Sequence, residues 1–225
     1  TSIGEYAFYN CSWLTSIAIL GGVTSIDDYA FCGCSGLTSV TIPACVTKLS
    51  TTFPSAYSEI KEVVILDGVT SIENEAFYGC RGLTSVVIPS SVTSIGELAF
   101  YNCSGLTSIT IPNSVTNIGS SAFSGCSGLT SMTLPFVGSQ RGNAGTEDSL
   151  FGYIFGASSS TGAMAVKQCY SSGSYLIFYI PSSLKTVVIT DETKIGYGAF
   201  YNCSELTSVT IPGSVTAIEA TAFYN

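Results

Sequence analysis

A phenylalanine, a cysteine three residues later and a leucine three further on recur six times along this chain. The sets are Phe8/Cys11/Leu14, Phe31/Cys34/Leu37, Phe77/Cys80/Leu83, Phe100/Cys103/Leu106, Phe123/Cys126/Leu129 and Phe200/Cys203/Leu206. Sets on adjoining repeats lie 23 residues apart; Cys34 precedes Cys80 by 46, twice that period, and Cys126 precedes Cys203 by 77, three periods plus 8. Self-similarity at a fixed spacing of this size signals one supersecondary unit stacked many times, because a single unit cannot bury its own apolar face. One elongated body is therefore expected from the 225 residues.

The segment Leu83–Asn102 shows how one unit is built. Leu83-x-x-Val86-x-Ile88 has the two-residue period of a short strand and ends at Pro89. Proline follows this strand at Pro43, Pro89, Pro112, Pro135 and Pro212; lacking an N–H and fixing φ, it stops ladder pairing and turns the chain. A second extended piece, Val92–Ile95, comes next. Gly96–Asn102 then reads as a helical or 3₁₀ turn with Ala99 and Phe100 inward. The small-then-large pair recurs at Ala7-Phe8, Ala30-Phe31, Ala76-Phe77, Ala122-Phe123 and Ala199-Phe200, which lets the turn sit close while Phe fills the core. About nine such strands, stacked at about 4.8 Å, make a body on the order of 45 Å long.

The pattern Leu-x-x-Val/Ile-x-Ile-Pro-x-x-Val-x-x-Ile-Gly-x-x-Ala-Phe-x-x-Cys, taken from residues 83–103 and 106–126 and recurring with small changes at 14–34 and 206–225, resembles the BspA-type leucine-rich repeat. The resemblance covers about three quarters of the chain. It implies a leucine-rich-repeat solenoid: a β-rich α/β, right-handed superhelix of 23-residue repeats with a parallel sheet and short helical or 3₁₀ turns. It also implies a bacterial, secreted or surface-displayed protein whose role is adhesion or partner binding. On this reading residues 1–135 are repeats. Residues 136–193 are an irregular aromatic, Gly- and Ser-rich insert or degenerate repeats within the same solenoid, and 194–225 are repeats again.

Composition narrows the function further. Net charge is -8 with no basic cluster, so nucleic acid is a poor partner. There is no histidine, which removes the commonest general base, the commonest metal ligand and any Ser-His or Cys-His pair. The acidic pairs Glu147-Asp148 and Asp191-Glu192 read as solvated loop carboxylates, and no phosphate-binding GxxxxGK[ST] or strand-borne GxGxxG occurs. No enzyme and no cofactor are expected. The longest apolar run, Tyr175–Ile180, has six residues against the roughly 20 of a spanning helix, so no membrane insertion is expected. The chain opens and closes in mid-repeat, as the middle of a longer protein would, with end-to-end self-association of the exposed ends expected.

Nine cysteines are present. Six hold the same place in the repeat and resemble the Asn/Cys of leucine-rich repeats, whose side chains stack in a buried ladder; neighbours in register point the same way, which suits a disulfide poorly. Cys32, Cys45 and Cys169 remain open to bridging. Asn10-Cys11-Ser12, Asn102-Cys103-Ser104 and Asn202-Cys203-Ser204 match a glycosylation acceptor as by-products of the repeat.

Two breaks in the repeat are candidates for function. Residues 46–62 keep the length but lose the anchors, with Phe53-Pro54 and Tyr57 instead. The larger break runs from Phe136 to about Thr193. There both Tyr175-x-x-Phe178-x-Ile180-Pro181 and Leu184-x-x-Val187-x-Ile189 copy the strand pattern, and one of the two is an extra strand. Gly138–Gly145 and residues 156–162 read as flexible loops. Loops on a rigid scaffold carry binding, and clustered aromatics beside Gly and Ser have the composition of adaptable recognition surfaces. Phe151, Phe155 and Phe178 are expected in the core. Phe136, Tyr153, Tyr170, Tyr175 and Tyr179 are the candidate binding residues, for a protein or glycan on a host or neighbouring cell. A structural spacer is the alternative. Outward strand residues such as Thr38, Thr84, Thr107, Thr130 and Thr207 form hydroxyl rows of the kind seen in ice-binding solenoids, a remote third reading.

Overall fold

The computed structural model describes residues 1–143 and 145–225. The elements run β1 (Ser2–Ile3), β2 (Ser16–Ala18), β3 (Ser25–Ile26), β4 (Ser39–Ile42), the one-turn helix α1 (Leu49–Thr52), β5 (Glu62–Ile65), β6 (Ser71–Ile72), β7 (Ser85–Val87), β8 (Ser94–Ile95), β9 (Ser108–Thr110), β10 (Asn117–Ile118) and β11 (Ser131–Leu134). Two 3₁₀ turns follow, Glu147–Ser149 and Phe151–Ile154. Then come β12 (Ala163–Ser171), β13 (Ser174–Pro181), β14 (Thr186–Ile189), β15 (Lys194–Ile195), β16 (Ser208–Thr210) and β17 (Ala217–Ile218).

These strands form a parallel β-solenoid. One side carries β2-β4-β5-β7 and then β9-β11-β14-β16, both parallel and in register, with Val40 opposite Val63 and Met132 between Ile109 and Val187. A second side carries the shorter pairs β1-β3, β6-β8-β10 and β15-β17. Alternation sends Val40, Ile42, Val63, Ile65, Ile109 and Met132 inward, where they are buried, and sends the Ser and Thr positions outward.

The third side has no strands but its own backbone ladder. The N–H groups of Phe8, Phe77, Phe100 and Phe200 donate to the carbonyls of Ala30, Ala99, Ala122 and Ala222 one rung away, at 2.7–2.8 Å. An alanine at each acceptor position lets the rungs approach this closely. The phenylalanines then stack within the core, with ring centroids 5.0 Å apart for Phe8–Phe31, 4.9 Å for Phe77–Phe100 and 5.2 Å for Phe100–Phe123. The turn is strained in a repeating way. Two residues before each of these phenylalanines the chain enters the left-handed region, at Tyr6, Tyr29, Glu75, Leu98 and Ser121, with φ between 55° and 61°. For a non-glycine residue this costs roughly 1–2 kcal/mol.

The cysteine ladder has a physical reason. The thiols of Cys34, Cys103 and Cys126 donate to the carbonyls of Phe8, Phe77 and Phe100 on the preceding rung, at 3.0–3.1 Å. Burial pushes the Cys80, Cys126 and Cys203 thiols up to about 12, so they stay protonated, and Cys126 keeps the proton it donates. All nine cysteines are free, including Cys32, Cys45 and Cys169. The sulfur of Cys45 instead donates to the Val23 carbonyl and that of Cys169 to the Ser171 carbonyl.

At residues 46–62 helix α1 replaces the left-handed turn. Phe53, one place early for the period, is still fully buried and packs on Phe31 at 5.1 Å. Ala56 and Ile60 complete the core there. The Gly33 N–H, which has no backbone carbonyl to meet on this altered rung, donates to the Ser55 hydroxyl at 2.9 Å.

In the larger break, β14 pairs directly with β11 on one side and β16 on the other. Leu184–Ile189 is therefore the ladder strand and Tyr175–Pro181 lies outside it, in the antiparallel hairpin β12–β13. The Leu184 N–H donates to the Pro181 carbonyl at 3.1 Å, as Leu129 does to Cys126. Pro181 thus stands in the cysteine's place, and the hairpin emerges between the positions of Phe and Cys on one enlarged rung.

Candidate binding surface

The hairpin is held by side chains that take over bonds a regular rung makes with its backbone. Gln168 on β12 is fully buried: its Oε1 accepts from the Gly152 N–H at 2.6 Å, and its Nε2 donates to the Ala199 carbonyl at 3.2 Å and reaches the Cys203 sulfur at 3.4 Å. The Asn202 amide donates to the Lys167 carbonyl at 2.9 Å. Gly198, also left-handed, stands two places before Phe200, and a Cβ there would lie 1.7 Å from the Cys169 carbonyl oxygen. The hairpin can lie against this rung only because that residue is glycine.

A buried carboxylate anchors the preceding loop. Glu192 is 2% exposed; its carboxylate accepts from the N–H groups of Val137 at 3.4 Å, Gly142 at 3.1 Å and Thr193 at 2.9 Å. Asp191 pairs with Arg141. Asp148 accepts from the Ser139 hydroxyl at 2.8 Å. Burial pushes the Asp148 carboxyl up, but donors from Thr146, Ser139 and Asn143 outweigh it and hold the group below its ordinary value. The sequence reading of these acids as solvated turns is thus corrected for Glu192 and Asp148, which close the backbone bonds of an irregular loop. Ala144, within the stretch read as flexible, lies outside the described residues.

The five aromatic candidates separate. Phe136 is fully buried and belongs to the core, which removes it from any surface patch: it stands two residues after the inward Leu134, across Pro135, and next to Val137, whose N–H donates to the Glu192 carboxylate. Tyr153 is half-buried against the core on a 3₁₀ turn; burial first, then the carboxylates of Asp148, Glu97 and Glu147, raise its phenol pKa. Tyr170 is half-buried near the hairpin tip, beside the irregularity between Cys169 and Ser171. Tyr175 and Tyr179 share the outer face of β13 with Ile177, opposite Cys169, Ala165 and Lys167 on β12. Tyr175 is 42% and Ile177 50% exposed. Phe151, Phe155 and Phe178 are buried, as expected for core replacements.

The outer face gains members that periodicity alone did not single out. The Lys167 ammonium lies 4.3 Å from the centre of the Tyr175 ring, a cation–π contact that desolvation strengthens. Tyr175 meets Tyr201 edge-on at 6.1 Å, and Tyr201 stacks on Tyr224 at 5.0 Å. The available signal was the tyrosine that directly follows the repeat phenylalanine at Tyr78, Tyr101, Tyr201 and Tyr224. By contrast, one threonine column on the strand side is largely engaged: the hydroxyls of Thr38, Thr84, Thr130 and Thr207 donate to carbonyls of Thr15, Lys61, Thr107 and Lys185 one rung back. Among the described residues no group of three or more Cys, Asp or Glu is placed to hold a metal ion, and no helix is long and apolar enough to cross a membrane.

A family model described as the BspA type leucine-rich repeat region matches residues 1–55, 50–143 and 148–225, in six copies. Among solved structures, a leucine-rich repeat protein from Eubacterium ventriosum is 23% identical with a TM-score of 0.50, over 100% of this chain and 62% of that one. The present chain therefore spans less than two thirds of that protein, with which it shares the fold. A leucine-rich cell surface protein from Faecalibacterium prausnitzii is 25% identical over 100% of this chain and 74% of its own, with a TM-score of 0.44. No curated protein matches the sequence significantly.

Proposed function

This chain belongs to the BspA-type leucine-rich repeat family, and from that premise we propose that it is a non-enzymatic binding or adhesion segment, extracellular or displayed on a cell surface. It recognises a protein or glycan on a host or neighbouring cell through the outer face of β12–β13. The observation that carries this reading is the exposed aromatic face itself. Tyr175 and Ile177 stand beside Lys167 on a hairpin outside the ladder, held by the buried Gln168. Rigidly supported aromatic side chains with a neighbouring cation are what recognition surfaces use, since they offer large contact area at little entropic cost.

The test is a capture screen of the chain against extracellular-matrix proteins and a glycan array, run alongside the double variant Tyr175→Ser/Ile177→Ser. Both residues point outward, so the variant should keep its unfolding midpoint. Binding to at least one ligand that disappears in the variant supports the hairpin as the recognition element. Equal binding by both proteins removes it.

A spacer role has an observation of its own. One apolar cluster runs without interruption from Ile19 to Ala222, and the ladder continues through β14 past the hairpin. Such a rod is stiff enough to hold another domain at a distance. Failure of every ligand in the screen favours the spacer. The hydroxyls of Thr38, Thr84, Thr130 and Thr207 are already committed to backbone carbonyls, which takes them out of any array that would order an ice or crystal surface.

A further inference from the structure

Next to the hairpin a second surface departs from the repeat. The residue after the repeat cysteine is serine at Ser12, Ser35, Ser104, Ser127 and Ser204, but arginine at Arg81. Arg81, Ser104 and Ser127 lie on three successive rungs, spanning about 10 Å. Together with Tyr101, Asn102 and loop residues 159–161 they line a groove of about 500 Å3, a size that suits a small ligand.

Three properties of the groove specify chemistry. First, Arg81 is exposed, takes part in none of the four ion pairs of the described residues, and shares the groove with no carboxylate. Second, Tyr101 stacks on Tyr78 at 4.8 Å, and the tyrosine row ends there because Ser124 holds that place one rung on. The other face of the Tyr101 ring therefore carries no further ring among the described residues. Third, the groove's polar side chains are uncommitted. The Ser160 hydroxyl is buried without a hydrogen-bond partner, a condition that an incoming polar group would relieve. Asn102, Ser104 and Ser127 make no side-chain bond among the described residues, whereas Asn202, at the place of Asn102 on a later rung, is engaged by the hairpin.

We propose that this groove binds an acidic carbohydrate, one or two sugar rings bearing a carboxylate. The planar guanidinium of Arg81 pairs with the carboxylate through two parallel bonds. The free face of Tyr101 packs against the apolar face of a sugar ring. The hydroxyls and the Asn102 amide, each able to donate and accept, match the ring hydroxyls. An acidic peptide would satisfy Arg81 but would leave most of these groups without partners. The inference rests on the binding reading above and adds a site distinct from the hairpin face.

Calorimetric titration with a hyaluronan tetrasaccharide and sialyllactose as acidic probes, lactose as the neutral probe and hexaglutamate as the peptide tests it. The acidic sugars should bind, and lactose and hexaglutamate should bind far more weakly. Arg81→Ser and Tyr101→Ser place at these positions the residue other rungs already carry, so both should fold; each should weaken acidic-sugar binding about tenfold or more. Absence of acidic-sugar binding at millimolar concentration, comparable binding of lactose or hexaglutamate, or unchanged affinity in Arg81→Ser would overturn the proposal. The Tyr175→Ser/Ile177→Ser protein should bind the sugars as the parent does; loss there would put the sugar on the hairpin instead. A parent chain that captures a matrix protein through the hairpin yet ignores acidic sugars sinks the groove alone.

Discussion

Rungs between Phe77 and Leu134 and the enlarged rung of residues 136–193 solve one problem in different ways. In the first region most backbone groups meet a counterpart on a neighbouring rung, and identical side chains repeat above one another: Phe on Phe, Cys thiol on Phe carbonyl. In the second the chain leaves the ladder and returns, and single side chains close the bonds left open. Gln168 serves Gly152 and Ala199, Glu192 serves three N–H groups, and the Ser183 hydroxyl donates to the carbonyls of Ser127 and Leu129. The contrast teaches that a solenoid accepts a long excursion when buried polar side chains replace the missing backbone partners. Each replacement is unique, so the regular region is redundant and the enlarged rung is not.

That contrast can be broken by substitution. Phe100→Ala, in the middle of the stacked rings, should cost about 3–5 kcal/mol in denaturant unfolding. A cost as small as that of a surface substitution would mean that the stack contributes little. Next in size, Gln168→Ala strands the buried Gly152 N–H and should cost about 1–3 kcal/mol. Amide exchange should accelerate in the hairpin while rungs 77–134 stay protected; equal acceleration in both would show the two regions to be one cooperative unit. Smaller still, Leu98→Gly relieves a left-handed residue and should change stability by at most about 1 kcal/mol in the favourable direction, because glycine's greater unfolded freedom offsets much of the relief. A clear loss of stability would mean that the Leu98 side chain packs better than its conformation suggests.

The smallest effect concerns pH. Asp148 has its carboxyl held below the ordinary value in the folded chain. Its contribution is therefore present above the unfolded carboxylate value and is lost as pH falls through the lower folded one. The loop around Ser139 should loosen below about pH 4, within the ordinary carboxylate range, while the regular rungs keep their exchange protection. Uniform loosening of both regions at that pH would contradict the local role given to Asp148.

Much of the fold was legible because it is written several times over. The Phe/Cys/Leu period, the proline after each strand and the Ala-Phe pair each repeat, so drift at one copy does not erase the signal. Even residues 46–62 were readable in length, although the one-place shift of Phe53, just past the end of α1, was not, since a four-residue helix leaves almost no periodic trace. In the larger break two segments copied the strand pattern. Only pairing separates them: Leu184–Ile189 has β11 and β16 as neighbours, whereas Tyr175–Pro181 has β12. The candidate surface was partly legible, with Tyr175 and Tyr179 on one face but Phe136 in the core. Aromatic character marks both places, and the distinction lies in how the enlarged rung folds back. Arg81 was visible as the one break in a column of serines, but its meaning depends on a loop some 80 residues away in the chain, at residues 159–161.

Gly198 carries a consequence that reaches beyond this chain. Bulky or polar residues fill the same turn position at Tyr6, Tyr29, Glu75, Leu98 and Ser121 despite their torsional penalty, so glycine's appearance there is not a requirement of the coil itself. It marks the place where something lies flush against the stack. In other arrays built on this motif, a solitary glycine two places ahead of the core phenylalanine should flag the rung on which an accessory element rests.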